Sequence, residues 1–221
     1  MNKQTLLALM ALAAFGGCVA SPAPSDDVGD DGSGDGSDTT TSTKIVSIQV
    51  LDAVISPGKT SHEPWDGVGA IPSSVWTLLT SALGAPEPFN AVVAFFGNAA
   101  VAQLDKPDPF GSAVLFSQTS TQSGVQHTLA TTSDNLEDTF QPTWPTPARW
   151  DGIPLTTDLR VQISLLDEDL SDNDPIGVVE LNTTDLEQAL TSNQVFHVNV
   201  ADQAGAQILF VGVSVRQTGT Q

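Results

Sequence analysis

The stretch that most restricts what this chain can become is Leu165-Leu166-Asp167-Glu168-Asp169-Leu170-Ser171-Asp172-Asn173-Asp174-Pro175-Ile176-Gly177. Five carboxylates fall within eight positions, 167–174, with no Lys or Arg between them. Leu159 to Leu166 before the loop and Ile176 to Leu181 after it are apolar runs of strand length and strand composition. A loop held at both ends by strands cannot spread its charges, and carboxylates that dense repel one another. A compact fold therefore needs something positive among them. Oxygen ligands on a flexible loop suit Ca²⁺ better than any softer metal. The plainer alternative is a solvated acidic turn.

Charge narrows the field further. The 221 residues carry a formal charge of −19, from 7 basic and 26 acidic side chains. With no basic stripe to release counterions, the charge argues against nucleic acid as a partner. Simple electrostatic adhesion to anionic lipid also needs clustered Lys and Arg, although a bound cation would offset that objection locally. The single Cys leaves no intramolecular disulfide and no Cys-based metal site.

The first residues read as an address. Met1 to Gln4 carries one positive charge, and Leu6 to Gly17 is twelve apolar or small residues, too short to span a bilayer and of the length of an export signal's core. It ends in Ala14-Phe15-Gly16-Gly17-Cys18, which resembles the lipobox of bacterial lipoproteins. That resemblance implies a signal peptide over 1–17, cleavage before Cys18 and acylation of Cys18. Membrane anchoring through acyl chains such as palmitate would follow. Val19, a non-acidic residue after the Cys, implies the outer membrane of a cell envelope with two membranes. Residues 18–43 form a tether rich in Ser, Thr, Asp, Gly and Pro that cannot bury enough surface to order itself. Its six Asp extend it by self-repulsion. Asp31-Gly32-Ser33-Gly34-Asp35-Gly36 inside it imitates the start of an EF-hand loop, but Ser42 stands where the bidentate acid belongs, so no calcium site is expected there.

The remainder, 44–221, reads as one folded unit. Lys44 to Val54 is a first strand ended by Pro57-Gly58. Val75, Leu78, Leu79, Ala82 and Leu83 follow Pro72 at helical spacing and stop at Gly84. Phe89, Val92, Val93, Phe96, Ala100 and Leu104 do the same after Pro86-Glu87-Pro88, with Gly97 as a weak point. This helical pair, about 70–106, is expected to pack on a sheet; a sharper reading makes Trp76, Phe95 and Phe96 its contacts with lipid or a partner. Further strands are expected at Ser112 to Gln118, Val125 to Thr132, Thr139 to Trp144, Leu159 to Leu166, Ile176 to Leu181, Gln194 to Val200 and Ala206 to Arg216. Thr184-Asp185-Leu186-Glu187 reads as a capping box opening a short helix. The fold class is thus all-β, an eight-stranded antiparallel sandwich with a two-helix insertion and one short capped helix.

Asp108-Pro109-Phe110, Phe140-Gln141-Pro142-Thr143-Trp144 and Leu166-Asp167-Glu168-Asp169…Asp174-Pro175-Ile176-Gly177, in that order among the strands, resemble the C2 domain. The family is an eight-stranded sandwich whose loops at one end hold Ca²⁺ and often dock on phospholipid. Gln141 departs from the Asn usual at its place. Residue by residue, the resemblance makes Asp66 and Asp108 first-loop metal ligands, Asp167 and Asp169 the paired ligands of the later loop, and Asp174 the acid closing it. Asp172 is a rival to Asp174, and Glu87 in Pro86-Glu87-Pro88-Phe89 is a rival to Asp108; strand-like sequence directly after Asp108 favours the latter. Strand alternation puts Asp167 and Asp169 on one side of a strand end.

Two functions compete on these residues. The first is a membrane-anchored lipoprotein presenting a calcium-binding module whose acidic loops take phospholipid head groups or an acidic or other protein partner. The second is an envelope structural or protein-interaction module with a purely structural calcium site or none. Enzyme activity is not expected: no Gly-x-Ser-x-Gly elbow and no His-Glu-x-x-His occurs. His62, His127 and His197 stand apart as surface or packing residues, with His197 expected to face water.

Overall fold

The computed structural model describes residues 42–221, apart from 67–68, 131–137, 170–171, 204 and 206. The signal peptide, Cys18, the EF-hand-like stretch and all but the last two residues of the tether lie outside the described residues.

Eight strands form two four-stranded sheets. The strands are β1 (Lys44–Ile55), β2 (Pro109–Phe116), β3 (Gln126–Leu129), β4 (Thr143–Pro154), β5 (Arg160–Asp167), β6 (Asp174–Leu181), β7 (Phe196–Asn199) and β8 (Ile208–Thr220). One sheet runs β4-β1-β8-β7, the other β3-β2-β5-β6, and neighbours pair antiparallel throughout. The protein is an all-β sandwich. Val161, Ile163 and Leu165 of β5 alternate inward with no more than 1% exposure, joining Val46, Ile48 and Val50 of β1 in the buried core.

Strand β8 departs from the alternating rule. Every residue from Ile208 to Val215 is buried, because one face looks into the sandwich while helices cover the other. Helices α1 (Ser73–Leu83), α2 (Pro88–Phe96) and α3 (Ala99–Ala102) connect β1 to β2, and α4 (Thr183–Ser192) connects β6 to β7 and packs on β7 and β8. Phe89 of α2 meets Phe210 of β8 edge-on at 5.6 Å and stacks on the His197 ring at 3.6 Å. His197 is therefore not turned to water: Phe89 covers it, and its Nε2 lies 3.1 Å from Asp52 Oδ1. Phe95 and Phe96, expected as contacts for lipid or a partner, are buried, and Phe96 stacks on Phe140 at 4.9 Å. Trp76 is half-buried, its ring 4.7 Å from that of His62. Much of the insertion's apolar face is turned onto its own sandwich, but Leu78 and Val93, expected on that face, stay exposed.

Three local readings change. The fourth strand begins four residues later than the expected Thr139 and extends to Pro154; Pro145 and Pro147 sit within it, which an edge strand tolerates because its outer N–H groups have no partner to lose. The expected helix from Phe89 to Leu104 breaks at Gly97, and Asn98 accepts the Ala100 N–H at 3.0 Å to start α3 afresh. The capping box of α4 is Asn182 with Asp185, two residues earlier than Thr184 with Glu187. Asn182 Oδ1 accepts the N–H groups of Thr184 and Asp185 at 2.8 and 3.2 Å, and Asp185 accepts that of Asn182 at 2.9 Å.

Candidate metal site at the loop tip

The loops after β1, before β2 and after β5 meet at one end of the sandwich because antiparallel strands deliver their connections there. Each is pinned. Trp65 is buried and its Nε1 donates to the Ser56 carbonyl at 3.0 Å, which fixes the exposed Asp66 beside it. The Asp108 N–H donates to Asp167 Oδ1 at 2.6 Å, and the Glu168 N–H donates back to the Asp108 carbonyl at 3.1 Å. Thr139 N–H donates to the Pro107 carbonyl at 3.0 Å, bringing the loop before β4 to the same tip. Asn173 orders the acidic loop from within by accepting the Asp169 N–H at 3.2 Å.

These ties gather Asp66, Asp167 and Asp169, each with a carboxylate oxygen within 4.8 Å of the other two. Asp167 has no exposed surface. One of its oxygens takes the Asp108 N–H; the other, Oδ2, is buried without a hydrogen-bond partner, and so is Oδ1 of Asp108. Buried acceptors are nearly always satisfied in native proteins, and a cation at this tip would satisfy both orphans.

The electrostatics point the same way. Burial, with the fields of Asp66, Asp169 and Asp108, pushes the Asp167 carboxyl up to about 7, against the lowering effect of the Asp108 N–H. Desolvation, a hydrogen bond with Asp169 and the charges of Asp169, Asp108 and Asp138 push Asp66 up to about 6. Asp108 is raised by burial and then by Asp138, Glu168 and Asp169. Without a cation the tip thus resists full ionisation.

Not every expected ligand joins. Asp172 is exposed and lies outside the cluster. Asp174 sits directly across the β5–β6 ladder from Asp167 but pairs with the Lys59 ammonium instead. A bulge explains its placement: Leu165 faces Gly177 and Leu166 faces Pro175, leaving Ile176 as the extra residue. Gly177 closes the bulge at φ 137°, where L side chains are rarely found. Glu87 is elsewhere, accepting from Asn90 Nδ2 at 2.8 Å beside a concavity shared with α4 and β7.

Two participants were not foreseen. Asp138 acts on both Asp66 and Asp108 through its charge; its cue was an acid just before the Phe140-Gln141-Pro142-Thr143-Trp144 step. Lys59 is the one Lys or Arg between Lys44 and Lys106, and its cue was a lone cation in a first loop otherwise supplying acids.

No protein-family model matches the chain, and no curated protein is significantly similar to it. Among solved structures it is similar to C2 domains. A single C2 domain of plant Extended Synaptotagmin 1 is 14% identical over 80% of this chain and 98% of its own length, with a TM-score of 0.38. A structure of Extended-Synaptotagmin 2 holding its SMP domain and a tandem of C2 domains is 12% identical, over 79% of this chain and 27% of that one, at 0.39. Human GIVD cytosolic phospholipase A2 is 15% identical over 80% of this chain, at 0.41; the chain spans 17% of that protein's length. At these identities and scores the likeness says nothing about what this chain binds.

Proposed function

We propose that the chain is a non-enzymatic, membrane-anchored module that binds Ca²⁺ at the loop tip and, through the ion, an anionic group such as a phospholipid head group. The observation that carries this reading is the buried, half-unpartnered carboxylate of Asp167 set against Asp66 and Asp169 within 4.8 Å. Hard carboxylate oxygens from several loops, with a main-chain tie between two of those loops, form a Ca²⁺-type donor set. Asp66, Asp167 and Asp169 would hold the ion, with Asp108 contributing its orphaned oxygen. Asp138, at the rim, adds negative field. The ion would cancel the repulsion and leave outward positions for anionic oxygens. Acylated Cys18 and the acidic tether would keep the module near a bacterial outer-membrane surface while letting the tip search it.

A ligand of the native state must raise stability by mass action. Calcium at about a hundred times its Kd should raise the thermal midpoint of the full chain by about 5–10 °C. A midpoint indifferent to calcium would sink the reading and leave a structural sandwich.

A further inference from the structure

We infer that Lys59 is a tethered counter-cation of the calcium site, holding Asp174 out of the cluster until a divalent ion displaces it. The inference rests on the calcium reading above and concerns how that site is regulated.

The ammonium of Lys59 is paired with Asp174, whose Cα partner across the ladder is Asp167, the buried member of the cluster. Opposed residues on antiparallel strands lie close enough for their side chains to interact, so the register sets Asp174 beside the acids it would join. Its pairing with Lys59 turns it away. The backbone of Lys59 is itself fixed: its N–H donates to the Glu63 carbonyl and its own carbonyl accepts the His62 N–H, both at 2.9 Å. The ammonium also lies 5.9 Å from the centre of the Trp65 ring, the same ring that anchors Asp66.

The structure also supplies a second berth. Lys59 lines a cavity of about 260 Å³ together with Gln207, His62 and Trp76. Gln207 Oε1 is buried and has no partner. The Gln207 backbone accepts from Ser56 N–H at 2.7 Å and donates to the Ile176 carbonyl at 2.9 Å, placing this residue between the segments that carry Lys59 and Asp174. A divalent ion arriving at the cluster repels the ammonium. Leaving Asp174, Lys59 finds an unused carbonyl oxygen on the wall it already lines, and Asp174 is free to turn inward. Calcium binding then includes an exchange of cations, and affinity is set below what the carboxylates alone would give.

The test is calorimetric Ca²⁺ titration of the full chain and three variants. Lys59→Met should bind about tenfold more tightly, as expected for removing one charge a few ångströms from a partly solvated site. Lys59→Arg should stay close to the parent, because the charge remains. Lys59→Met/Asp174→Asn should lose most of the gain, because the released carboxylate is gone. Thermal melts in chelator give a second reading: Lys59→Met should melt below the parent without calcium and above it with calcium. A parent that binds calcium beside a Lys59→Met variant of equal or weaker affinity overturns the exchange while leaving the calcium site intact. Failure of both proteins to bind overturns the calcium reading and the exchange with it.

Discussion

A carboxylate with no exposed surface and one unpartnered oxygen costs free energy whenever it is charged, and Asp167 shows how that cost runs with pH. Its folded-state value of about 7 lies above the ordinary 3.8. Between those values the folded chain keeps a proton that the unfolded chain has given up. Stability is therefore fully present below about pH 4 and is lost as pH rises toward about 7, by about 1.4 kcal/mol per unit at most. Asp66 acts in the same direction up to about 6, weakened by its exposure to solvent. In chelator, the thermal midpoint should thus fall between pH 4 and 7, and saturating calcium should flatten the fall. Asp167→Asn keeps an oxygen for the Asp108 N–H but removes the buried charge. At about pH 7.5 without calcium its midpoint should rise by roughly 3–6 °C, while its response to calcium disappears. A midpoint that drops in this variant would mean that the carboxylate is already satisfied by the protein.

At the scale of elements, β2 and β6 show how backbone detail positions the acids. Gly111 stands opposite Leu165 on one side and Leu129 on the other, and a Cβ there would collide with the Ser164 carbonyl. Gly111→Ala should cost about 3 kcal/mol through this overpacking, read as a lowered denaturant midpoint. Calcium affinity should weaken too, since β2 carries Asp108 at its entrance. Much of this was legible beforehand. Alternation revealed β5, and dense acid between apolar runs revealed the loop that β5 and β6 enclose. Asp66 joins the cluster despite the helices separating it from Asp108. What escaped notice depended on partners distant in sequence. The pairing of Asp174 with Lys59 joins residues 115 apart, and no local pattern records it. Nor does any pattern announce that β4 is an edge strand in which two prolines are harmless. At the start of α4, Thr-x-x-Glu and Asn-x-x-Asp overlap in the sequence, and the structure uses the second: Asn182 Oδ1 accepts the Thr184 and Asp185 N–H groups.

For the whole molecule, a charge of −19 and a calcium tip make opposite demands on an anionic surface. Long-range repulsion discourages approach, and only the ion at the tip reverses it locally. A Cys18→Ser variant of the full chain, deprived of its proposed anchor, should therefore pellet with anionic vesicles severalfold more in calcium than in chelator. Calcium-independent pelleting would assign the attachment to something other than the tip. The direction of approach follows from β8. Helices lie over β8 and β7, while β4 at the other edge of this sheet keeps Thr146, Arg149 and Asp151 exposed. The outer surface of β3-β2-β5-β6 has Ser112, Val114, Gln162, Ser164 and Val178 along it, and among the described residues no helix packs extensively on its strands. One sheet is consequently roofed only along β7 and β8, and a neighbour lying along the strands rather than at the tip finds the second sheet the barer of the two.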